Sequence, residues 1–240
     1  MNDLVVVTGA SRGLGLAIAR RLAGDGYHVL ALSRSRSDAI AELSANSPNV
    51  TWQSFDLKGI GSFQETVASI SKEFGPIYGL VNNAAIAHDG ILATQHEREV
   101  IEQIEVNVTG TIMFTKYASR SMLPQRRGRV INIASIIAFT GYNGLSVYGA
   151  TKAALMGFTR SLARELGRAK ITVNAIAPGY METDMTVGLS ADQLSAVRRR
   201  SALLDLVSPD KVAGAVAYLM GPDGAATTGA TLTVDAGSTA

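Results

Sequence analysis

A glycine-rich turn close to the amino terminus is the feature that most constrains the fold of this sequence. Residues 4–7 are an apolar, mainly β-branched run typical of a buried strand, and apolar residues recur at helical spacing over residues 16–22. Between the two patterns, Gly9, Gly13 and Gly15 follow a G-x-x-x-G-x-G spacing. Glycines permit a tight turn and a close backbone approach, while free N–H groups at a helix start attract an anion. We therefore interpret the turn as a dinucleotide phosphate site rather than a plain strand-to-helix connection.

The rest of the chain repeats this alternation of strand and helix patterns. Hydrophobic residues make up 47% of the 240 residues, which is enough for a core between a sheet and its helices. The alternation predicts an α/β fold: a doubly wound, seven-stranded parallel sheet with helices on both faces, in one Rossmann-type domain over residues 1–240. The predicted strands are residues 4–7, 28–33, 50–55, 78–81, 129–134, 171–176 and 231–234.

Two further segments carry predictions about the site. A long helix is predicted over about residues 97–123, with Asn107 in its middle. The neighbours of Asn107 are apolar, which indicates a buried or site-facing side chain rather than an exposed one. Residues from about 180 to 205 begin without strong periodicity and are interpreted as a substrate lid.

Composition and charge exclude several classes of function. The net charge of +2 gives no reason to expect a nucleic acid or an anionic membrane as partner. The sequence contains no cysteine, which excludes disulfides, thiolate zinc sites and cysteine nucleophiles, and we assign no metal site. The amino terminus lacks a signal-peptide pattern, and no apolar run approaches the roughly 18 residues of a membrane span. We expect a cytoplasmic protein.

The end of the second predicted strand indicates which cofactor is bound. No Asp or Glu occurs over residues 31–37, where an acidic residue would bind the 2′-hydroxyl of the adenosine ribose. Arg34 and Arg12 suit a 2′-phosphate instead, although two solvated surface arginines would give the same pattern. The sequence predicts that NADP(H) is preferred over NAD(H).

Polar residues follow the third and fourth predicted strands. Asp56 either accepts a hydrogen bond from the adenine amino group or caps the helix that begins near Phe63. Asn82 and Asn83 suit a turn, or a bridge between the backbones of neighbouring strands. The small Ala84 leaves room for a flat ring beside them.

A second constellation supplies the chemistry. Ser135 ends the fifth strand, and Tyr148 and Lys152 lie one helical turn apart on one face of the next helix. A phenol beside an ammonium is a proton donor, but its ordinary pKa near 10 makes it a poor one at neutral pH. Lowering that pKa to about 7 requires roughly 4 kcal/mol, and Lys152 and the positive nicotinamide of the oxidised cofactor are plausible sources. A hydrolase with Ser135 as nucleophile is disfavoured because the G-x-S-x-G elbow and a histidine in a triad setting are missing.

Together these residues resemble the short-chain dehydrogenase/reductase family. The matching pattern keeps the family's order and spacing over nearly the whole chain: Thr8-Gly9-x-x-x-Gly13-x-Gly15, Asp56, Asn82-Asn83-Ala84, Asn107, Ser135, Tyr148-x-x-x-Lys152 and Pro178-Gly179. The resemblance implies four catalytic residues, Asn107, Ser135, Tyr148 and Lys152. It also implies a cofactor site formed by Gly9, Ser11, Arg12, Gly13, Leu14, Gly15, Arg34, Asp56, Leu57, Asn83, Ala84, Tyr148, Lys152, Pro178, Gly179, Met181 and Thr183.

Within the family the chain looks most like 3-oxoacyl-[acyl-carrier-protein] reductases, notably over residues 157–163 and 178–186. This resemblance implies NADPH-dependent reduction of a ketone to a secondary alcohol, with a 3-oxoacyl thioester on acyl-carrier protein as substrate. It further implies a homotetramer and docking of the acidic carrier protein at Arg126 and Arg127. Ala85 replaces the family's usual glycine, so a reductase of acetoacetyl-CoA, a sugar or a small ketone stays an alternative, as does a non-catalytic dinucleotide sensor.

Overall fold

One parallel sheet organises the protein, whose computed structural model describes residues 3–181, 195 and 198–240. Its strands are β1 Leu4–Thr8, β2 His28–Ser33, β3 Val50–Ser54, β4 Ile77–Asn82, β5 Gly128–Ile133, β6 Ile171–Pro178 and β7 Thr231–Val234. The seven strands lie in the order β3-β2-β1-β4-β5-β6-β7, and each neighbouring pair is parallel. The predicted doubly wound seven-stranded sheet is confirmed.

Helices cover both faces of the sheet because the strands are apolar on both sides. In β1, Val5 and Val7 belong to one hydrophobic cluster, whereas Leu4 and Val6 belong to the other. The first cluster is completed by α1 and α8, and the second by α3, α5 and α7. Within the described part of the chain the α-helices are α1 Gly13–Gly24, α2 Asp38–Asn46, α3 Phe63–Phe74, α4 Glu97–Ile104, α5 Thr111–Met122, α6 Ile137–Thr140, α7 Ser146–Leu166 and α8 Pro209–Met220.

The strand order reverses between β1 and β4, and this reversal locates the ligand crevice. The chain moves outward from β1 through β2 to β3, then returns to place β4 on the other side of β1. Connections on the two sides therefore leave the sheet in opposite directions, which opens a crevice at the carboxyl ends of the strands. The glycine-rich turn follows β1 and Asn83 follows β4, so both border this crevice.

The helix predicted over about residues 97–123 is present over residues 97–122, but its middle is not α-helical. A π-helical stretch, Glu105–Gly110, separates α4 from α5. Its wider turn lets two residues meet neighbouring loops: the Asn107 side chain binds the backbone of Ile86, and Gly110 lies against the carbonyl of Leu57. A Cβ atom at Gly110 would lie only 2.5 Å from the Leu57 oxygen, so a side chain is excluded there.

Two other predictions, of a lid and of no membrane span, can be compared with the structure only over the described residues. Most of the predicted lid, at about residues 180–205, lies outside the described residues, and Thr183 lies outside them too. Among the helices that are described, none combines the length and the apolar character that crossing a membrane demands.

Candidate active site

The glycine-rich turn forms a cradle that fits the phosphates of a dinucleotide. Gly9 and Gly13 have φ angles of +68° and +53°, in the left-handed region that favours glycine. A Cβ at Gly15 would lie 2.1 Å from the carbonyl oxygen of Gly9, so close packing of α1 on the turn also requires glycine. Within the described residues no side chain caps the amino terminus of α1, whose first N–H groups can therefore bind an anion.

Asn83 and Thr8 hold this turn in place, which confirms the bridging interpretation. Asn83 Nδ2 donates hydrogen bonds to the carbonyl oxygens of Thr8 and Gly9 at 3.0 and 3.2 Å. The backbone N–H groups of Asn83 and Ala84 both donate to Thr8 Oγ1 at 3.0 Å. The loop after β4 is thus tied to the loop after β1 across the crevice.

The loop after β2 packs against the same turn. Ser37 Oγ donates to the carbonyl oxygen of Ser11, and Trp52 Nε1 donates to Ser33 Oγ at 2.8 Å. These contacts hold the loop that carries Arg34, whose side chain is exposed beside the crevice like that of Arg12. The arginines are therefore accessible on the cofactor side of the sheet.

The structure excludes one of the two interpretations of Asp56, that of a helix cap. Its Oδ1 atom accepts a hydrogen bond from the backbone N–H of Lys58 at 3.0 Å, and α3 begins only at Phe63. Asp56 therefore stabilises the turn after β3 and does not cap α3, so the capping interpretation is wrong. Its neighbour Leu57 is buried against the π-helical stretch.

Tyr148 and Lys152 lie on one face of α7, as the spacing predicts. Lys152 Nζ is 5.5 Å from the centre of the Tyr148 ring, and it donates to the carbonyl oxygen of Ile133 at 2.8 Å. Ile133 is the last residue of β5, two residues before Ser135. The backbone N–H of Ile137 donates to Ser135 Oγ at 3.3 Å, which leaves the hydroxyl proton free to be donated. These contacts join the three predicted catalytic side chains to one edge of the sheet.

Burial shifts the pKa values of Tyr148 and Lys152 in opposite directions. It raises the pKa of Tyr148 to about 12 and lowers the pKa of Lys152 to about 8. The expected depression of the Tyr148 pKa is therefore not produced by Lys152 in this chain. Bringing that pKa down to 7 would require about 7 kcal/mol at roughly 1.4 kcal/mol per unit. At neutral pH the phenol keeps its proton, which is the state a proton donor needs.

Asn107 positions α7 relative to the loop after β4. Its Oδ1 accepts from the N–H of Ile86 at 2.8 Å, while its Nδ2 donates to the Ile86 carbonyl at 2.8 Å and to Thr151 Oγ1 at 3.2 Å. The side chain is buried, as its apolar neighbours indicate. Because Thr151 precedes Lys152, these bonds fix the turn of α7 that carries the ammonium.

A buried row of polar side chains under the site was missed by the sequence analysis. Asn82 Nδ2 donates to Thr115 Oγ1 and to Asn132 Oδ1, both at 2.8 Å. Asn132 Nδ2 continues the row to Thr159 Oγ1 at 2.8 Å, which connects α5 to α7 through β4 and β5. An asparagine at the end of one apolar strand (Asn82) and another near the end of the next (Asn132) are the sequence signal that would have revealed it.

The segment after β6 closes the crevice on its far side. The carbonyl oxygen of Pro178 accepts from the N–H of Ile136 at 3.1 Å, and the N–H of Gly179 donates to Val234 at 2.9 Å. A Cβ at Gly179 would lie 2.6 Å from the Cα of Asp235, so glycine is required there. Met181 forms a bridge with Val207.

A cavity of about 450 Å³ lies elsewhere, between α6 and the first turns of α7. It is lined on α7 by Gly149, Ala150 and Ala153, which at 100° per residue point away from the face of Tyr148 and Lys152. This cavity is therefore not the catalytic cleft.

The fold and the site define a class of protein, an oxidoreductase that acts with a nicotinamide dinucleotide. The sequence matches the family described as short chain dehydrogenase over residues 3–194. The chain belongs to this family, and the predictions of family, fold and oxidoreductase chemistry are confirmed.

Similarity to known proteins extends over nearly the full chain. The 3-oxoacyl-[acyl-carrier-protein] reductase of Escherichia coli strain K12 is 38% identical over 236 residues, which cover 98% of this chain and 97% of that protein. Carbonyl reductase family member 4 of Xenopus tropicalis is 36% identical over 237 residues, covering 99% of this chain and 98% of that protein. A crystal structure of an actinorhodin polyketide ketoreductase variant with NADPH has a TM-score of 0.91 and 32% identity, covering 98% of this chain and 97% of that one.

Proposed function

We propose that the protein reduces the ketone of a 3-oxoacyl thioester on acyl-carrier protein to a secondary alcohol, with NADPH as the reductant. The observation that carries the proposal is the placement of Tyr148 and Lys152 on one face of α7, tied through Ile133 to the strand end that presents Ser135. Curated relatives with near-complete coverage are named as reductases of this substrate. A dinucleotide sensor reduces no carbonyl, so it would not require the Tyr148–Lys152 pair.

The chain's own residues perform the proton chemistry. Gly9, Gly13, Gly15 and Asn83 would hold the dinucleotide, whose nicotinamide would supply the hydride for the carbonyl carbon. Ser135 donates a hydrogen bond to the carbonyl oxygen and stabilises the charge that develops there. Tyr148 gives its proton to that oxygen, which completes the alcohol. The cation of Lys152 stabilises the phenolate left behind, and Asn107 keeps this turn of α7 in place.

The proposed preference for NADPH rests on Arg34 and Arg12. We expect Arg34→Asp to lower kcat/KM with NADPH by about 10- to 100-fold and to raise it with NADH, because a charge-assisted phosphate contact contributes about 1.5–3 kcal/mol. Steady-state kinetics with both cofactors measure the ratio. Arg20→Asp, an exposed charge reversal on α1, is the control that separates a local effect from a change in net charge. Equal use of both cofactors by the unaltered protein would contradict the preference.

The proposed docking residues, Arg126 and Arg127, lie at the amino ends of the strands, whereas the catalytic group lies at their carboxyl ends. They precede β5, whereas Ser135 follows it, and the six-residue strand between them spans roughly 20 Å. Arg126 Nη2 donates to the Arg168 carbonyl, and Arg127 pairs with Asp3 and stacks over Tyr78. Docking there requires the substrate arm to span this height or to enter a neighbouring subunit. We propose a cytoplasmic homotetramer, in which the second route is open.

The decisive experiment measures NADPH oxidation with one acetoacetyl group on different carriers. The proposal expects the highest kcat/KM with acyl-carrier protein, a lower value with CoA, and a still lower one with sugars and small ketones. A carbonyl reductase among the relatives favours the second candidate, a reductase of carrier-free ketones. Faster turnover of a small ketone than of the carrier-bound thioester would establish that candidate instead.

A further inference from the structure

The π-helical stretch Glu105–Gly110 supports two loops that border the cofactor crevice. The first loop follows β3 and contains Leu57, and the second follows β4 and contains Ile86. Gly110 lies against the carbonyl oxygen of Leu57, whereas Asn107 binds the backbone of Ile86. The stretch therefore contacts both loops, but it does so through two different residues.

Glu102, one turn earlier in α4, contacts both loops with a single carboxylate. Its Oε1 accepts a hydrogen bond from Nζ of Lys58, in the loop after β3. Its Oε2 lies 3.0 Å from Nε2 of His88, in the loop after β4. Because a carboxylate only accepts hydrogen bonds, His88 donates from this nitrogen. One side chain thus joins two loops that follow different strands of the sheet.

Both partners of Glu102 belong to ordered turns that also carry residues of the predicted cofactor site. The backbone N–H of Lys58 donates to Asp56 Oδ1 at 3.0 Å, so a shift of Lys58 would disturb the turn of Asp56. The carbonyl oxygen of His88 accepts from Gln95 Nε2 at 2.9 Å, in the loop that begins at Asn83. The position of Glu102 is therefore transmitted to both walls of the crevice.

The contacts of Glu102 are charge-assisted and accessible to solvent. The hydrogen bond from Lys58, and after it the one from His88, lowers the pKa of Glu102, and the hydrogen bond to Glu102 raises the pKa of Lys58. The carboxylate and the ammonium are thus both charged at neutral pH. The three side chains are between 32% and 45% exposed, so dissolved salt should weaken the contacts.

We propose that Glu102 is a positioning residue for the cofactor, which holds the loops after β3 and β4 in the arrangement that binds NADPH. A dinucleotide lies across the carboxyl ends of the strands and meets both loops. Loops that are already held in place lose less conformational entropy when the ligand binds. The inference rests on the proposed function, because it concerns the use of NADPH.

The direction of the effect distinguishes positioning from a simple effect of charge. NADPH is anionic, so the removal of a nearby negative charge would by itself strengthen its binding. Loss of the loop contacts would weaken binding instead. We expect Glu102→Gln to raise the Kd of NADPH about three- to tenfold and to leave kcat at saturating NADPH within about twofold. Titration of cofactor fluorescence with the full-length protein measures Kd, and steady-state kinetics measure kcat.

Two further variants and one change of solvent test the loop contacts. Glu105→Gln removes a neighbouring exposed carboxylate that makes no hydrogen bond or ion pair within the described residues, and it should not raise the Kd. His88→Ala should raise the Kd by about twofold or more alone, and by less in the Glu102→Gln background, because the two residues share one contact. At 1 M NaCl, where the Debye length is about 3 Å, the ratio of the Kd of Glu102→Gln to that of the unaltered protein should fall toward one.

The outcomes separate this inference from the function on which it rests. An unchanged or lowered Kd in Glu102→Gln would overturn the inference, as would an equal rise in Glu105→Gln, additive effects of His88→Ala and Glu102→Gln, or a ratio that salt does not change. If Glu102→Gln did not fold, an unchanged Kd in His88→Ala would overturn it. These results would leave the proposed function intact wherever the unaltered protein reduces the thioester with NADPH. An unaltered protein that did not bind NADPH would overturn both.

Discussion

Replacing Tyr148 with phenylalanine should lower kcat by about 10³-fold while NADPH still binds with a similar Kd. The change removes one oxygen atom and retains the ring that packs on α7 near Lys152. General acid catalysis contributes about 10²- to 10⁴-fold, and no other side chain takes the place of this phenol in the proposed mechanism. Single-turnover reduction of acetoacetyl thioester measures the chemical step, and titration of cofactor fluorescence measures binding.

The stability of this variant tells a catalytic loss from a folding defect. Within the described residues the Tyr148 hydroxyl has no hydrogen-bond partner, so its removal should not lower the Tm. Tyr218→Phe is the matched control, because its exposed hydroxyl lies beside Thr227, away from the site. Turnover by Tyr148→Phe within tenfold of the unaltered protein would remove Tyr148 as the proton donor.

Lys152→Met should abolish most activity and yet stabilise the protein at neutral pH. Loss of the cation removes the charge that stabilises the phenolate, which should lower kcat by at least about 10²-fold. Burial holds the pKa of Lys152 at about 8, below its ordinary value of 10.5, so the folded state carries an unfavourable charge at pH 7. The cost is about 3 kcal/mol at roughly 1.4 kcal/mol per pKa unit, partly offset by the hydrogen bond to Ile133.

The pH dependence has a definite sign. Between pH 8 and 10.5 the unfolded chain binds more protons at this position than the folded one, so the free energy of unfolding of the unaltered protein rises with pH. The advantage of Lys152→Met should therefore be full below pH 8 and shrink by about 2–3 kcal/mol by pH 10. Urea unfolding at pH 7 and pH 10 measures both values, with Lys72→Met as the control for loss of an exposed charge. If the difference in the free energy of unfolding between Lys152→Met and the unaltered protein were the same at both pH values, a lowered pKa of Lys152 in the folded state would be contradicted.

The elements that a one-dimensional pattern encodes were predictable. Strands β2 and β7 begin and end where the sequence indicates. For β2 the reason is that a buried parallel strand appears as a continuous apolar run between turn residues, whereas β7 is a short, partly exposed strand at the edge of the sheet. The spacing of Tyr148 and Lys152 fixed their common face, since helix geometry alone sets it. The cradle of Gly9, Gly13 and Gly15 followed from the same local reasoning.

What depended on contacts between distant segments was not predictable. The π-helical stretch exists because Asn107 and Gly110 meet loops that lie far away in the sequence, at Ile86 and Leu57. The raised pKa of Tyr148 reflects burial, which no residue spacing reports. The role of Asp56 was open for a different reason, because its partner is the nearby N–H of Lys58, whose position is set by the conformation of the turn.

The widened turn between α4 and α5 also fixes how this chain tolerates changes in length. A π-helical turn holds one residue more than an α-helical turn, so deleting one residue from Glu105–Gly110 would leave a regular α-helix in which α5 keeps its orientation. Phe114 and Met122 would stay in the hydrophobic interior, whereas Asn107 and Gly110 would lose the contacts with Ile86 and Leu57 that the wider turn provides. A one-residue gap in an alignment at this stretch is therefore compatible with an unchanged α5, but not with an unchanged position of Asn107.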